Sequence, residues 1–458
     1  MDVTTPELTK EEIVRLRDTH IGRSCQLFFR EAPLMIVRGE GIHLYDETGQ
    51  AYLDGINNVC HVGHCHPDVV GALCRQAAAL NTNSRFLHQN IVLYAKKLTA
   101  TFPESLSIVY MVNSGSEAND LALRLAKAHT KASDVITLDH AYHGHVTSTM
   151  EISPYKFKKG DRAPKSGEVH LAPCPDTYRG EFRDASSAGQ QYAEKVQDII
   201  AKLAESGRRP AAFIAESLQS CGGQILPPTG YLRAVYEHVR AAGGVCIADE
   251  VQVGFGRVGT HWWAFQTQGD DVIPDIVTLG KPMGNGHPVA AVVTTQEVAE
   301  SFAQTGVEYF NTYGGNPVSC AVAMAVMKVI ENEKLMENCL RIEEVLGDGL
   351  QRLQEKYPII GDIRIMGMFA GIDLVTDRGT RAPATDQAKE VVTRMLQGED
   401  KVLLSTDGPH RNVLKFKPPI VFSEENCQLL LRKLDQVLAE VTADKERAQP
   451  PAAACATN

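Results

Sequence analysis

Short apolar segments rich in β-branched residues alternate with amphipathic helical segments through the middle of this chain. SIVYMVN, DVITLD, AAFIAE and VCIADE have the length and composition of buried strands, whereas SEANDLALRLAKAHT and YLRAVYEHVRAAGG have helical periodicity. Strands that are apolar on both faces belong to parallel sheets covered by helices on each side. The sequence therefore predicts an α/β fold with a mostly parallel, doubly wound sheet. Ligands of such sheets bind at the carboxyl ends of the strands.

The 458 residues leave room for a second, smaller unit beside this sheet. Thr9 and Glu12 form a capping-box pattern that predicts a short helix near the amino end, and GIHLYDETGQAYLDG predicts a hairpin. We expect residues 56–316 to form a large ligand-binding domain. The smaller α/β domain would combine residues 1–55 with 317–442, and residues 443–458 would be a disordered tail.

Composition excludes several classes of protein. With 46 Lys+Arg against 56 Asp+Glu, the net charge of −10 argues against a general nucleic-acid binder. No apolar stretch approaches the ~18 residues that a membrane span needs. Eleven cysteines without a CxxC pair indicate reduced thiols in an intracellular compartment. The segment MDVTTPELTKEE has the features of neither a secretion signal nor a transit peptide.

Two sequence patterns suggest chemistry that their context does not support. GFGRVG, at residues 254–259, matches the dinucleotide-binding fingerprint, but THWWAFQTQG follows it where that fingerprint needs a helix. Histidines and cysteines cluster at residues 60–66, and histidines again at 140–145. Neither cluster has the spacing of a closed zinc site, so we interpret them as turn and packing residues and expect no metal.

A phosphate-binding helix start is predicted at Asn113-Ser114-Gly115-Ser116-Glu117, where a strand ends and a helix begins. Small residues there leave backbone N–H groups free at the positive end of the helix. An ordinary capped helix start would account for the same residues. Thr312, in NTYGGNP, adds a small hydroxyl beside a glycine pair suited to phosphate.

Two charged residues follow predicted strands and suggest a cofactor with a protonated ring. Asp249 ends the strand VCIAD, where a buried carboxylate needs a partner. A protonated ring nitrogen would be such a partner and would make the ring an electron sink. Lys281 comes directly after an apolar strand, where burial favours the neutral amine that a Schiff base requires. Tyr142, in Tyr142-His143-Gly144, offers an aromatic face for the ring.

SGSEAND, YHGH, ADEVQVGFGRVG, LGKPMGNG and NTYGGNP, in this order, resemble the class III aminotransferase group of the fold type I pyridoxal-phosphate enzymes. The resemblance runs from about residue 10 to residue 440. It implies pyridoxal 5′-phosphate as cofactor, joined covalently to Lys281, with Asp249 on the ring nitrogen, Tyr142 stacked on the ring and Gln252 near the ring hydroxyl. The other implied cofactor-binding residues are Gly115, Ser116, His143, Glu216 and, from the neighbouring subunit of a homodimer or tetramer, Thr312.

The sequence departs from the aminotransferases of this group at the site that binds the 2-oxo acid. Lys415, in KFKPPI, stands where those enzymes often have the arginine of RxxPPL, and Cys221, in ESLQSCGG, stands where they have a gating glutamate. Ser217 replaces a usual proline. Because an arginine fork and a lysine point charge are not interchangeable, these changes favour a reaction other than transamination. Binding of the carboxylate elsewhere is the alternative.

NVCHVGHCHP, LNTNSRFLH, LDHAYHGH and STDGPHRNVLKFKPP resemble the phospho-lyase branch of the group. That resemblance implies elimination of phosphate from ethanolamine phosphate, giving acetaldehyde and ammonia. 5-Phosphohydroxy-L-lysine as substrate, an ω-aminotransferase and an inactive binding protein remain alternatives. We expect Arg85, Arg411 or Lys415 to bind the substrate phosphate; Lys417 is a weaker candidate, and surface ion pairs would equally explain Arg411 and Lys417. Family resemblance implies a mitochondrial enzyme, with the cytoplasm as the alternative.

Overall fold

The computed structural model describes residues 8–157 and 167–448. The chain begins with helix α1 (Lys10–His20), and the predicted capping box is present because Thr9 and Glu12 exchange side chain to backbone hydrogen bonds. An antiparallel sheet follows, comprising β1 (Ile36–Glu40), β2 (His43–Asp46) and β3 (Ala51–Asp54). Helices α2 (Pro67–Ala79) and α3 (Gln89–Thr99) lead into the central sheet.

Within the described residues the central sheet has the strand order β4-β10-β9-β8-β7-β5-β6. Strands β6, β5, β7, β8 and β9 are mutually parallel, whereas β10 pairs antiparallel with both β9 and β4. The strands are β4 (Leu106–Val112), β5 (Asp134–Leu138), β6 (Val169–Ala172), β7 (Pro210–Glu216), β8 (Val245–Asp249), β9 (Ile276–Leu279) and β10 (Ala290–Thr295). The prediction of a mostly parallel, doubly wound sheet is confirmed.

Helices cover both faces of this sheet. They are α4 (Gly115–Thr130), α5 (Thr147–Glu151), α6 (Pro154–Phe157), α7 (Ala188–Glu205), α8 (Tyr231–Ala241) and α9 (Gln296–Ala303). Phe213 and Ala215 of β7 pack with residues of α7 and α8, whereas the alternate residues Ala212 and Ile214 pack with residues of α4. The period of two along a strand therefore sends successive side chains into two separate apolar cores.

The C-terminal part is built from two long helices, a second antiparallel sheet and a final helix. Strand β14 pairs in parallel with β3, so the N-terminal segment shares a sheet with this part of the chain. The elements are α10 (Pro317–Asn332), α11 (Leu335–Lys356), β11 (Ile360–Met366), β12 (Phe369–Asp377), β13 (Ala382–Pro383), α12 (Thr385–Arg394), β14 (Val402–Leu403), β15 (Ser405–Asp407), β16 (Val413–Phe416) and α13 (Glu424–Ala448).

The predicted start of the tail at residue 443 is wrong, because that position lies inside α13, whose apolar residues Leu438 and Val441 are buried. Residues 449–458 of the predicted tail lie outside the described residues. The domain boundaries at residues 55 and 316 stay a prediction. None of the described helices is both long enough and apolar enough to span a bilayer.

Candidate active site

The carboxyl ends of three parallel strands bring the predicted residues to one edge of the sheet. Glu216 at the end of β7 is the register partner of Asp249 at the end of β8, and Asp249 is the partner of Thr278 in β9. A cavity of about 290 Å³ opens at this edge. Its predicted lining residues are Gly115, Ser116, Tyr142, His143, Asp249, Gln252 and Lys281, joined by Asn119, Val251, His287 and Val289, which sequence reasoning missed.

Asp249 is almost completely buried and is held by three donors. Its Oδ2 accepts from Asn119 Nδ2 at 2.8 Å and lies 2.8 Å from His143 Nδ1, while Oδ1 accepts from the backbone N–H of Val251 at 3.0 Å. A carboxylate has about four acceptor positions, so one lone pair remains for a further donor. The arrangement therefore fixes the side chain and can still accept a proton-bearing ring nitrogen.

Asn119 and His143, which contact Asp249, are fixed by further hydrogen bonds. Asn119 also donates to the carbonyl of His143 at 2.8 Å, and its Oδ1 accepts from Thr278 Oγ1 at 2.7 Å. His143 Nε2 lies 3.3 Å from Thr137 Oγ1. Asn119 follows Gly115 by four residues, so both lie on the same face of α4, and this helical spacing is the signal that could have predicted it.

The start of α4 has the features of a phosphate cradle. Ser114 caps the helix through its side chain, which accepts from Glu117 N–H at 3.2 Å. The amides of Gly115 and Ser116 donate to no group in the described residues. A Cβ added at Gly144 would lie 2.6 Å from Ser116 Oγ, so the loop after β5 packs directly on this helix start.

Lys281 borders the cavity immediately after β9. Its φ of 21° is unusual for a residue with a side chain, and it begins the short 3₁₀ turn Lys281–Gly284. Strained backbone of this kind costs about 1–3 kcal/mol and is concentrated at functional sites. The ammonium group forms no hydrogen bond or ion pair within the described residues, so the amine is available to a ligand.

Tyr142 forms one wall of the cavity, and Glu216 positions it from behind. Glu216 Oε1 accepts from the Tyr142 N–H at 3.0 Å, and its Oε2 accepts from Ser220 N–H at 2.9 Å. Burial raises the pKa of Glu216 to about 7, although His143 lowers it. Glu216 does not itself line the cavity; it holds the backbone of Tyr142, which does.

Gln252 lies on another wall, with Lys417 behind it. Gln252 Oε1 accepts from Asn58 Nδ2 at 2.8 Å and from Lys417 Nζ at 3.0 Å. Lys417 is 2% exposed and also donates to Ser220 Oγ. The interpretation of Lys417 as a surface ion pair is therefore wrong, because the side chain is buried behind Gln252.

The cations predicted to bind the substrate phosphate lie outside the cavity lining. Lys415 Nζ is 3.0 Å from Asp407 Oδ2. The Arg411 guanidinium lies 5.3 Å from the centre of the Tyr155 ring, and this ring packs edge-on against Tyr142 at 6.4 Å. Lys415 interacts electrostatically with Cys221, as do Tyr142 and Tyr155, so both cations lie on the Tyr142 side of the site.

Two other predicted residues lie apart from the cavity. Arg85 is exposed, pairs with Glu308 at 3.3 Å and lies over the Phe310 ring at 3.9 Å. Thr312 is exposed and does not line the cavity. A role for Thr312 in a neighbouring subunit therefore stays a prediction.

The dinucleotide-like segment GFGRVG and the histidines at residues 60–66 have structural roles. Residues 254–259 form turns, and a 3₁₀ turn at Ala264–Gln268 follows in place of the long helix that a dinucleotide site needs. His61, His64 and His66 bind separate partners, namely the carbonyl of Phe255, the carboxylate of Asp54 and the carboxylate of Glu333. The described residues contain no cluster of three side chains able to hold a metal ion.

Comparison with protein families gives a match to the family described as Aminotransferase class-III over residues 29–438. The chain belongs to the class III aminotransferase family. A Drosophila melanogaster protein named alanine–glyoxylate aminotransferase 2-like is 55% identical, with 100% of this chain and 92% of the relative covered. A Caenorhabditis elegans protein named ethanolamine-phosphate phospho-lyase homolog 1 is 48% identical, with 94% of each chain covered.

A solved structure has nearly the same fold as this chain. It is an Arthrobacter phospholyase in complex with phosphoethanolamine, 39% identical, with a TM-score of 0.88 over 93% of this chain and 99% of that one. An amine transaminase from an uncultivated Pseudomonas species, 28% identical with a TM-score of 0.82, was solved with pyridoxal phosphate bound. The cofactor is pyridoxal 5′-phosphate, as the sequence predicted.

The cavity of this class III enzyme fits that cofactor. The backbone N–H groups of Gly115 and Ser116 at the start of α4, which have no acceptor among the described residues, suit its phosphate. Glycine at position 115 keeps the space clear, because a Cβ there would lie 2.8 Å from Val251 Cγ1. Asp249 suits the ring nitrogen, and the unpaired Lys281 suits the aldehyde.

Proposed function

We propose that this class III enzyme is a phospho-lyase that converts ethanolamine phosphate and water into acetaldehyde, ammonia and inorganic phosphate. The observation that carries the proposal is the pair of residues at the oxo-acid gate. Lys415 replaces the arginine and is engaged by Asp407, while Cys221 replaces the glutamate. Burial raises the pKa of the Cys221 thiol to about 12, so this position carries no charge at neutral pH. A switchable arginine–glutamate pair for a second substrate is therefore missing here.

Cations on the Tyr142 side of the cavity suit a leaving phosphate. No carboxylate of the described residues lies within 4 Å of the Arg411 guanidinium, which donates a long hydrogen bond of 3.4 Å to the Thr406 carbonyl and also interacts with the Tyr155 hydroxyl. Arg411 is thus free to bind an anion, and Lys415 adds a second charge nearby. Each charge-assisted hydrogen bond to phosphate contributes roughly 1.5–3 kcal/mol.

The chemistry requires removal of a proton from the carbon that bears the amine and departure of phosphate from the adjacent carbon. Bound pyridoxal phosphate supplies an electron sink for the carbon that loses the proton. Lys281 would accept that proton, since it lines the cavity and its Nζ has no partner among the described residues. Asp249 would stabilise a positive charge at the ring nitrogen, and Tyr142 would offer its aromatic face to the ring.

Phosphate departs with the electron pair of its C–O bond, stabilised by Arg411 and Lys415. The remaining two-carbon enamine reacts with water to give acetaldehyde and ammonia. The sum consumes one water and needs no oxo acid.

The relatives support this choice and also a second candidate. The nematode relative's name and the phosphoethanolamine in the Arthrobacter complex support a phospho-lyase. The name of the Drosophila relative favours an aminotransferase that uses a 2-oxo acid. 5-Phosphohydroxy-L-lysine is the alternative phospho-lyase substrate.

We further propose a homodimer or tetramer in which Thr312 of the partner subunit reaches the cofactor phosphate, because Thr312 of the same chain does not line its own cavity. A mitochondrial location is also part of the proposal, since several relatives are named as mitochondrial.

The substrate choice is tested by incubating the purified holoenzyme separately with ethanolamine phosphate and with 5-phosphohydroxy-L-lysine. Inorganic phosphate and ammonia are measured in both. We expect both products from ethanolamine phosphate, in equal amounts and at the higher rate. Equal rates from the two compounds, or a higher rate from phosphohydroxylysine, would make the substrate choice wrong.

A further inference from the structure

The hydrogen-bond polarity of the Gln252 side chain is fixed by its surroundings. Asn58 Nδ2 lies 3.2 Å from the backbone carbonyl of Gln252, which can only accept, so this atom of Asn58 is the donor. The same Nδ2 lies 2.8 Å from the Gln252 side chain, so the atom facing it is the oxygen, Oε1. Lys417 Nζ, 3.0 Å away, is a second donor to this oxygen.

With Oε1 engaged by two donors, only Nε2 of Gln252 remains to interact with a ligand. This nitrogen has no hydrogen-bond partner in the part of the chain that is described, and Gln252 lines the cofactor cavity. The cavity wall therefore presents an N–H donor at this place. A donor favours an anionic oxygen over a neutral hydroxyl group, which would compete as a donor itself.

Lys417 is a buried cation without a carboxylate partner within 4 Å among the described residues. Its Nζ contacts Ser220 Oγ and Gln252 Oε1, and its ammonium lies 6.0 Å from the centre of the Phe369 ring. The charged or titratable groups facing it are Lys415, Asp407, Cys221 and Lys281, with Glu216 behind Ser220. Burial, followed by Lys415, lowers the pKa of Lys417 to about 7.

We propose that Lys417 and Asn58 are positioning residues that lock Gln252 as a donor toward an ionised oxygen of the cofactor ring. The positive charge of Lys417 polarises the Gln252 amide and strengthens its N–H as a donor, because hydrogen bonds in series reinforce one another. This inference rests on the cofactor and goes beyond the choice of substrate. It holds for a phospho-lyase and for an aminotransferase alike.

Lys417→Met tests the proposal, since methionine retains an apolar stem against Phe369 and removes the charge and the donor. The affinity of the apoprotein for pyridoxal phosphate is measured by fluorescence titration, and the absorption spectrum of the bound cofactor is recorded across the neutral pH range without substrate. We expect roughly tenfold weaker cofactor binding, the scale of one charge-assisted hydrogen bond. The absorption band should also change in position or in pH dependence.

The matched control is Lys433→Met. Lys433 is also buried, with its Nζ donating to the Gln397 carbonyl at 2.8 Å, but it lies on α13 away from the cavity. We expect this variant to lower the melting temperature while leaving cofactor affinity and spectrum unchanged. Lys417→Arg, which restores a charged donor, should shift the absorption spectrum of the bound cofactor part of the way back to that of the wild type.

Gln252→Glu keeps the result decisive if Lys417→Met does not fold. A glutamate can still accept from Asn58 and Lys417 but has no N–H to donate, so cofactor affinity and spectrum should change as in Lys417→Met. Wild-type affinity and an unchanged spectrum in either folded variant would overturn the proposal. Because no substrate is present, failure of the proposed phospho-lyase activity would not affect the outcome.

Discussion

His143 Nδ1 lies 2.8 Å from Oδ2 of Asp249, and both side chains are buried. His143 stands in the loop after β5, whereas Asp249 ends β8, so the contact joins two strands that are not neighbours in the sheet. Because Nδ1 faces the carboxylate, it donates, and Asp249 is held as an acceptor at the edge of the cavity. The sequence predicted His143 as a cofactor contact; the structure adds that it orients the acid.

Asp249→Asn should lower turnover by roughly 100-fold or more, the scale of removing one preorganised electrostatic contact. The amide keeps the shape of the side chain but supplies no negative charge to the ring nitrogen. Steady-state rates and cofactor absorbance measure the effect. Asp134→Asn is the matched control. Asp134 also contacts a histidine, His170 at 2.7 Å, but it lies at the start of β5, the end away from the cavity. An Asp249→Asn enzyme as active as this control would rule out the assigned role.

Gly144→Ala should loosen the cofactor phosphate site. An added Cβ would lie 2.6 Å from Ser116 Oγ and 2.8 Å from Thr149 Oγ1, with φ at 137°. The loop must then move away from the start of α4, so we expect weaker binding of pyridoxal phosphate in a fluorescence titration. Gly207→Ala is the control, since its φ of 68° is also positive but nothing lies within 4 Å of the new atom. Equal cofactor affinities in both variants would contradict the assignment of the start of α4 as the phosphate site.

Lys415→Ala and Arg411→Ala should each raise the KM for ethanolamine phosphate by roughly 10- to 100-fold, the range of one charge-assisted hydrogen bond. The cofactor spectrum should stay that of the wild type, because neither side chain lines the cofactor cavity. Lys389→Ala serves as control, since Lys389 is an exposed cation that pairs with the exposed Glu31. Unchanged kinetics in a variant would remove that cation from the substrate site.

Glu216 should make the protein less stable as the pH rises from about 4.5 to about 7. Its pKa in the folded protein is raised to about 7 from an ordinary value of 4.5, so the folded state binds a proton that the unfolded state has lost. The stabilisation is complete below pH 4.5 and is lost through pH 7, by up to roughly 3 kcal/mol. Melting curves of wild type and Glu216→Gln over this range should converge at low pH and favour the variant at neutral pH. Parallel curves would show that Glu216 does not titrate in this way.

The fold and the centre of the site were predictable because local patterns determine them. Buried strands of the parallel sheet are apolar on both faces, and Asp249 and Lys281 stand directly after two of them. Chain order and strand direction then place both residues at the same edge.

Contacts between distant segments were not predictable. Asn58, Gln252 and Lys417 meet only when β3, β8 and β16 are assembled, and no spacing in the sequence records this. Lys415 and Lys417 are two residues apart in one strand-like segment and so share a face in that pattern, and periodicity alone gave no reason to prefer the buried lysine. The helix α13 continues to Ala448, although its last buried residue among those described is Val441, so neither burial nor the composition of the tail indicated where it ends.

The most direct test of the proposed reaction is phosphate release from ethanolamine phosphate by the holoenzyme with no 2-oxo acid present. We predict steady release over many turnovers, with acetaldehyde and ammonia in equal amounts and none from Lys281→Ala. An aminotransferase would transfer the amine to its cofactor once, leave the phosphate ester intact and then stop. Release limited to one phosphate per active site, or activity that appears only after a 2-oxo acid is added, would contradict the proposal.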